Sequence, residues 1–196
     1  LVLFALGLLN FHALENLGLA AWLLWPRRSV AQQRLRALLA WPAALALLPE
    51  GKRPIVYHQS GLNKLDDLKA AYAKAGVEAY CTEFIDDMVK VYSHADVVVC
   101  RAGALTVAEL TAAGVGALLV PYPQAVDDHQ TANARFMVKA DAGLLLPQKE
   151  LTAEKLAAIL EGLNREQCLR WAENARLLAL PRSADDVADI AVQVAK

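Results

Sequence analysis

The sequence predicts an α/β protein, a parallel sheet with helices on both faces, and three observations carry that prediction. Asp96 is followed by Val97-Val-Val-Cys100, a strand apolar on both faces, as in a parallel sheet covered on both sides. That strand runs through Arg101-Ala-Gly103 directly into a helix beginning near Ala104. From about Lys52 onward, strand and helix patterns alternate regularly, which is the order of βαβ units.

The elements follow in chain order. A strand is predicted over Ile55 to His58 and a helix over Leu62 to Ala75, with Leu65, Leu68 and Tyr72 on one side and Asp66, Asp67, Lys69 and Lys74 elsewhere. A strand over Val77 to Cys81 and a helix over Phe84 to His94 precede the Val97 strand. The helix from Ala104 closes at Gly114, a glycine C-cap, and the strand Ala117-Leu-Leu-Val-Pro-Tyr122 comes next. The polar cluster Pro123 to Asn133 leads into another helix, and Leu144 to Pro147 forms a last short strand. Three helices end the chain, over Thr152 to Leu163, Arg165 to Leu177 and Ser183 to Ala195; Thr152 and Ser183 supply the N-cap signals.

At 196 residues the chain can bury a full core, and its net charge of −1 with scattered basic residues gives no reason to expect a nucleic-acid partner. Cys81, Cys100 and Cys168 are far apart and read as small core residues of a reducing compartment. No CxxC or HExxH occurs, and His58, His94 and His129 are well separated, so no metal or other cofactor is expected.

Residues 1–41 behave differently from 42–196. Leu1 to Trp25 is mostly Leu, Ala, Gly and Trp, and reads as an apolar helical segment followed by Pro26-Arg-Arg28. Asn10, His12, Glu15 and Asn16 fall in its middle, and one acidic residue at a bilayer centre costs roughly 2.5 to 3.5 kcal/mol, which argues against a span. The segment carries +3 against −4 for the remainder, and holds Trp22, Trp25 and Trp41. Arginine plus tryptophan beside an apolar helix fits either a membrane surface or an ordinary core helix.

The junction at Gly103 is a place to hold a phosphate. A helix start offers unpaired N–H groups and about half a positive charge. Glu109, one and a half turns on, can accept hydrogen bonds from two adjacent hydroxyls such as those of a ribose. The alternative from spacing alone is that Gly103 serves close strand-helix packing and Glu109 is a solvated helix residue. A second polar cluster after the next strand places both loops at the carboxyl ends of neighbouring strands, where ligands bind in doubly wound sheets.

Several segments together resemble the MurG family of bacterial N-acetylglucosaminyltransferases. They are Leu47-Leu-Pro-Glu-Gly-Lys-Arg-Pro54, Tyr57-His-Gln-Ser-Gly61, Thr82-Glu-Phe-Ile-Asp-Asp-Met88, Ala95 through Glu109, and Asp127-Asp-His-Gln-Thr-Ala-Asn133. The resemblance begins near Pro42 and implies the Rossmann-like, C-terminal donor-binding domain of a GT-B glycosyltransferase. It implies that Ile85 lines a uracil pocket, that Gly103, Ala104, Leu105, Thr106, Val107, Ala108 and Glu109 form the UDP-N-acetylglucosamine segment, and that Gln130 contacts the donor sugar. An amide suits such a ligand because it both donates and accepts. The implied partners are UDP-N-acetylglucosamine, a lipid-linked muramyl-pentapeptide acceptor and, peripherally, the cytoplasmic side of the bacterial inner membrane. The implied setting is peptidoglycan synthesis, and with it cell shape and division.

The departures are as informative. The family's donor domain opens with a strand and a Gly-Gly-Ser loop, expected just before Pro42, where this chain reads Ser29-Val-Ala-Gln-Gln-Arg-Leu-Arg-Ala-Leu-Leu-Ala-Trp41. The acceptor domain, in which the resemblance places the general base and the lipid-diphosphate site, has no counterpart in these residues. Two readings follow: the donor half of an inverting transferase, incomplete for catalysis alone, or a non-catalytic UDP-sugar-binding subunit working with a separate acceptor subunit. A dinucleotide oxidoreductase is disfavoured, because GxGxxG and its downstream acid are missing.

Overall fold

The structure is a computed structural model that describes residues 2–5, 40–123 and 128–195. Six parallel strands form one sheet: β1 (Val2–Ala5), β2 (Ile55–Gln59), β3 (Tyr80–Thr82), β4 (Val97–Cys100), β5 (Ala117–Leu119) and β6 (Gly143–Leu145). Their spatial order is β3-β2-β1-β4-β5-β6. The helices are α1 (residues 40–47), α2 (Leu65–Ala75), α3 (Met88–His94), α4 (Ala104–Ala113), α5 (His129–Lys139), α6 (Ala153–Gly162), α7 (Arg165–Leu177) and α8 (Ser183–Val194).

Burial on the two faces alternates along β4 as the pleat requires. Val97 and Val99 join Leu3, Trp41, Leu45, Val56, Leu68, Leu118, Leu156 and Trp171 in one core, covered by α1, α2, α6 and α7. Val98 and Cys100 point the other way, into a core with Tyr92, Val107, Leu110, Leu119, Ala134 and Met137 under α3, α4 and α5. All four β4 residues are buried, as the uninterrupted apolar run predicts. Between β5 and β6 the backbones approach so closely that a Cβ on Gly143 would lie 2.1 Å from the Ala117 carbonyl oxygen.

The N-terminus corrects the sequence reading. Val2–Ala5 is not helical but the central strand, in register with Ile55–His58 on one side, while Leu3–Ala5 pair with Val97–Val99 on the other. The apolar run Leu1 to Leu6 suits a strand or a helix equally, and pairing on both sides decides between them. Trp41 likewise belongs to the core: it is 1% exposed and meets the His58 ring edge-on at 6.0 Å. The remainder of that segment, with His12, Glu15, Asn16, Trp22, Trp25 and its arginines, lies outside the described residues. Among the described residues no helix is long and apolar enough to cross a membrane.

Element edges also shift. The helix expected from Leu62 starts at Leu65, because Gly61 and Asn63 adopt φ of 80° and 58°. The one expected from Phe84 starts at Met88, where the Asp87 side chain accepts from the Lys90 N–H. Gly114 closes α4 at φ 70°, a left-handed cap suited to glycine. Thr152 caps α6 as expected, its Oγ1 accepting from the Lys155 N–H at 3.2 Å. No residue of α8 is buried.

Candidate functional site

The strand order reverses direction between β1 and β4, and a parallel sheet leaves a crevice beyond its carboxyl ends at that point. The loops after β3, β4 and β5 open onto that edge. They carry Ile85, the Gly103 to Glu109 segment and Gln130 respectively. From β3 to β4 is three strand spacings, about 14 Å, and β5 lies one spacing further, so the three groups are spread along the edge.

Gly103 is the N-cap of α4, at φ −64° and ψ 150°, with no side-chain cap on the helix. The first-turn amides therefore point outward without an intrahelical acceptor. A Cβ at Gly103 would touch only the Thr106 Oγ1, at an ordinary 3.6 Å. Its backbone angles are open to any residue, so neither strain nor strand-helix packing accounts for glycine here.

Within this segment the residues face different ways. Ala104, Leu105 and Ala108 are exposed, Leu105 at 81%, and Thr106 is half-buried. Val107 turns into the core, and its N–H is spent on the Gly103 carbonyl at 3.0 Å. Glu109 is exposed and accepts from the Tyr92 hydroxyl at 3.1 Å. Burial, reinforced by the Glu109 carboxylate, pushes the Tyr92 phenol well above its usual range, so its O–H remains a donor. Burial and the same carboxylate push the Cys100 thiol up to about 12, leaving it protonated and unsuited to nucleophilic attack.

Gln130, in the first turn of α5, is 3% exposed. Its Oε1 accepts the Tyr122 N–H at 2.9 Å, so that donor fixes the amide orientation. One turn on, the Asn133 Nδ2 donates to the Ala102 carbonyl at 3.0 Å, which draws this face of α5 against the turn that precedes Gly103. Residues 124–127 of the connecting loop lie outside the described residues.

Ile85 stands apart from these, near the β3 edge. It is half-buried, and its N–H donates to the Oε1 of Gln59 at 3.1 Å, so that N–H already has an internal acceptor. Gln59, at the end of β2 and 3% exposed, holds the Ile85 loop in place.

Sequence reasoning passed over four residues that organise this edge: Gln59, Tyr92, Arg101 and Asn133. Arg101 is the most connected. One guanidinium nitrogen donates to the Val120 and Pro121 carbonyls, each at 3.0 Å, and another to the Gln148 Oε1 at 2.6 Å. The guanidinium carbon lies 5.3 Å from the Tyr122 ring centroid. Arg101 thereby ties the loop after β4 to the one after β5 and to the short 3₁₀ turn Gln148–Glu150. An arginine two residues before a glycine at a strand end was the available signal.

His58 is not part of the edge. Its Nδ1 lies 3.0 Å from the Tyr72 hydroxyl inside the core, and burial lowers its pKa to about 3. Among the described residues no group of three or more His, Cys, Asp or Glu side chains is placed to hold a metal ion.

A six-stranded parallel sheet in this order, with a helix starting at Gly103 beside its reversal point, defines a Rossmann-like α/β domain. The comparisons are specific about which kind. The chain belongs to the family described as glycosyltransferase family 28 C-terminal domain, which matches residues 35–193.

Over 154 residues it is 73% identical to the UDP-N-acetylglucosamine--N-acetylmuramyl-(pentapeptide) pyrophosphoryl-undecaprenol N-acetylglucosamine transferase of Neisseria gonorrhoeae, covering 79% of this chain and 43% of that protein. The enzyme of the same name from Cupriavidus metallidurans is 56% identical over the same length and with the same coverage. The chain thus spans less than half the length of the curated relatives it matches. Among solved structures, Acinetobacter baumannii MurG superposes with a TM-score of 0.76 at 34% identity, covering 96% of this chain and 50% of that one. The glycosyltransferase VinC in complex with dTDP superposes at 0.60 with 16% identity, covering 98% and 41%, a likeness of fold alone.

Proposed function

We propose that this chain forms the donor side of an inverting N-acetylglucosaminyltransferase of peptidoglycan precursor synthesis, holding UDP-N-acetylglucosamine along the carboxyl edge of its sheet. The observation that carries the reading is the start of α4. Among the described residues no side chain caps its amides, no close contact accounts for the glycine there, and Glu109 and Gln130 come from α4 itself and from the first turn of the neighbouring α5. The diphosphate lies at the helix start, Glu109 takes the ribose hydroxyls, and Ala104, Leu105, Thr106 and Ala108 line the path between. Gln130 presents its amide N–H groups to an oxygen of the sugar, since its carbonyl serves Tyr122. The base rests at the Ile85 loop. Val107 contributes through packing, not contact.

In the reaction, an acceptor hydroxyl attacks the anomeric carbon and the bond to the diphosphate breaks with UDP leaving. Charge grows on the diphosphate, and the α4 amides stabilise it there, an effect worth up to several kcal/mol in a water-excluded site. The acceptor is the lipid-linked muramyl-pentapeptide named for the relatives, brought by a region beyond residues 42–196, at the cytoplasmic face of the membrane. Catalysis requires both sides of that cleft.

Calorimetric titration of the chain with UDP-N-acetylglucosamine, UDP-glucose and UDP-N-acetylgalactosamine tests the reading. Binding of the first is expected to weaken roughly tenfold or more in Glu109→Ala, the size of one lost charge-assisted contact. Equal affinity in wild type and variant would overturn the ribose assignment, and UDP release by this chain alone with donor and lipid acceptor would overturn the half-site assignment.

A further inference from the structure

We infer that Tyr92 is a positioning residue for the Glu109 carboxylate and thereby a determinant of ribose over deoxyribose in the bound nucleotide; the inference rests on the donor-site reading above. Tyr92 lies in α3, its ring buried at 5% exposure against the underside of α4, and its hydroxyl emerges beside Glu109 to donate to Oε2 at 3.1 Å.

A glutamate on an exposed helix face otherwise samples many rotamers, and binding a ligand through it costs that freedom. Tyr92 removes part of the cost before the ligand arrives. A carboxylate offers about four lone-pair positions, and the bond to Tyr92 takes one of them. Oε1 and the rest of Oε2 stay available to two neighbouring hydroxyls in a fixed direction. The phenol performs this without titrating near neutral pH, since burial and the facing carboxylate both keep its proton on. Tyr92 belongs to the packed core of that sheet face, so its oxygen is anchored by the ring and not by the ligand.

The test is titration of the full chain with UDP, 2′-deoxy-UDP and 3′-deoxy-UDP, in wild type, Tyr92→Phe, Glu109→Ala and the double variant. Wild type should prefer UDP over both deoxy ligands, Glu109→Ala should flatten that preference, and Tyr92→Phe should reduce it by roughly three- to tenfold. General loss of structure would weaken all three ligands together and leave their ratios unmoved. The double variant should bind with the ratios of Glu109→Ala alone, because Tyr92 acts through that carboxylate. Glu109→Asp, which keeps the charge but withdraws it from Tyr92 by one methylene, should mimic Tyr92→Phe and gives the answer if the latter does not fold. Ratios in Tyr92→Phe within about twofold of wild type, with Glu109→Ala flattened, would overturn the role of Tyr92 and leave the donor site standing. Wild-type ratios in Glu109→Ala would overturn both.

Discussion

Val2 and Asp96 clasp one another across the centre of the sheet. The Val2 N–H donates to the Asp96 Oδ2 at 2.6 Å, and the Asp96 N–H returns a bond to the Val2 carbonyl at 2.9 Å. Asp96 also meets Arg165 at 3.0 Å, but the arginine side chain is 87% exposed and the carboxylate 19%. The bond to Val2 is therefore the one that matters, since it fixes the entry of β1 between β2 and β4.

Replacing Asp96 separates the two contacts. Asp96→Ala should cost about 1–3 kcal/mol, because it strips the acceptor from a sheltered backbone N–H. Arg165→Ala, which breaks only the solvent-facing pair, should cost less than about 1 kcal/mol. Urea unfolding of the three proteins measures both, and similar losses in the two variants would contradict the assignment.

Acid should destabilise the fold through His58. Its folded pKa of about 3 lies below the unfolded value near 6.5, so between those limits the unfolded chain binds a proton that the native chain refuses. Stability is then complete above about pH 6.5 and falls as pH drops toward 3, at roughly 1.4 kcal/mol per unit from this group. Urea midpoints at pH 7 and pH 5 for wild type and His58→Leu give the contribution as a difference in slope. Parallel slopes would show that His58 accepts its proton in the folded state.

Gly103→Ala separates binding from stability. With only the Thr106 Oγ1 within reach of the new methyl group, at 3.6 Å, the fold should lose under about 1 kcal/mol, the cost of alanine at an N-cap. The same methyl projects into the space assigned to the diphosphate, and affinity for UDP-N-acetylglucosamine should fall by about tenfold or more. Thermal unfolding and calorimetry on one preparation decide it, and unchanged affinity would remove the ligand from the helix start.

What the sequence made legible was local. Val97–Cys100 announced a doubly covered strand, Gly114 a left-handed helix end, and Thr152 a cap, because each depends on neighbours within a few positions. Glu109 and Gln130 were singled out through motif and resemblance. The partners that orient the site were not: Tyr92 reaches 17 residues to Glu109, Arg101 reaches 19 to Val120, Gln59 reaches 26 to Ile85, and Asn133 reaches 31 to Ala102. Such contacts exist only once the sheet has ordered its strands. The β1 strand escaped for the same reason. The unbroken apolar run Leu1 to Leu6 shows no period that separates strand from helix, and the intervening residues moved the expected opening strand to a place just before Pro42.

The central place of β1 also bears on how quickly the chain can refold. Val2 must find Asp96 across a separation of 94 positions, and the two half-sheets on either side stay unjoined until it does. Closing so long a loop is an entropic debt met before any contact returns it, so docking of β1 should set the slow step of refolding. Until then β2 and β4 each present an unzipped flank, and crowded solutions should favour clumping over productive collapse.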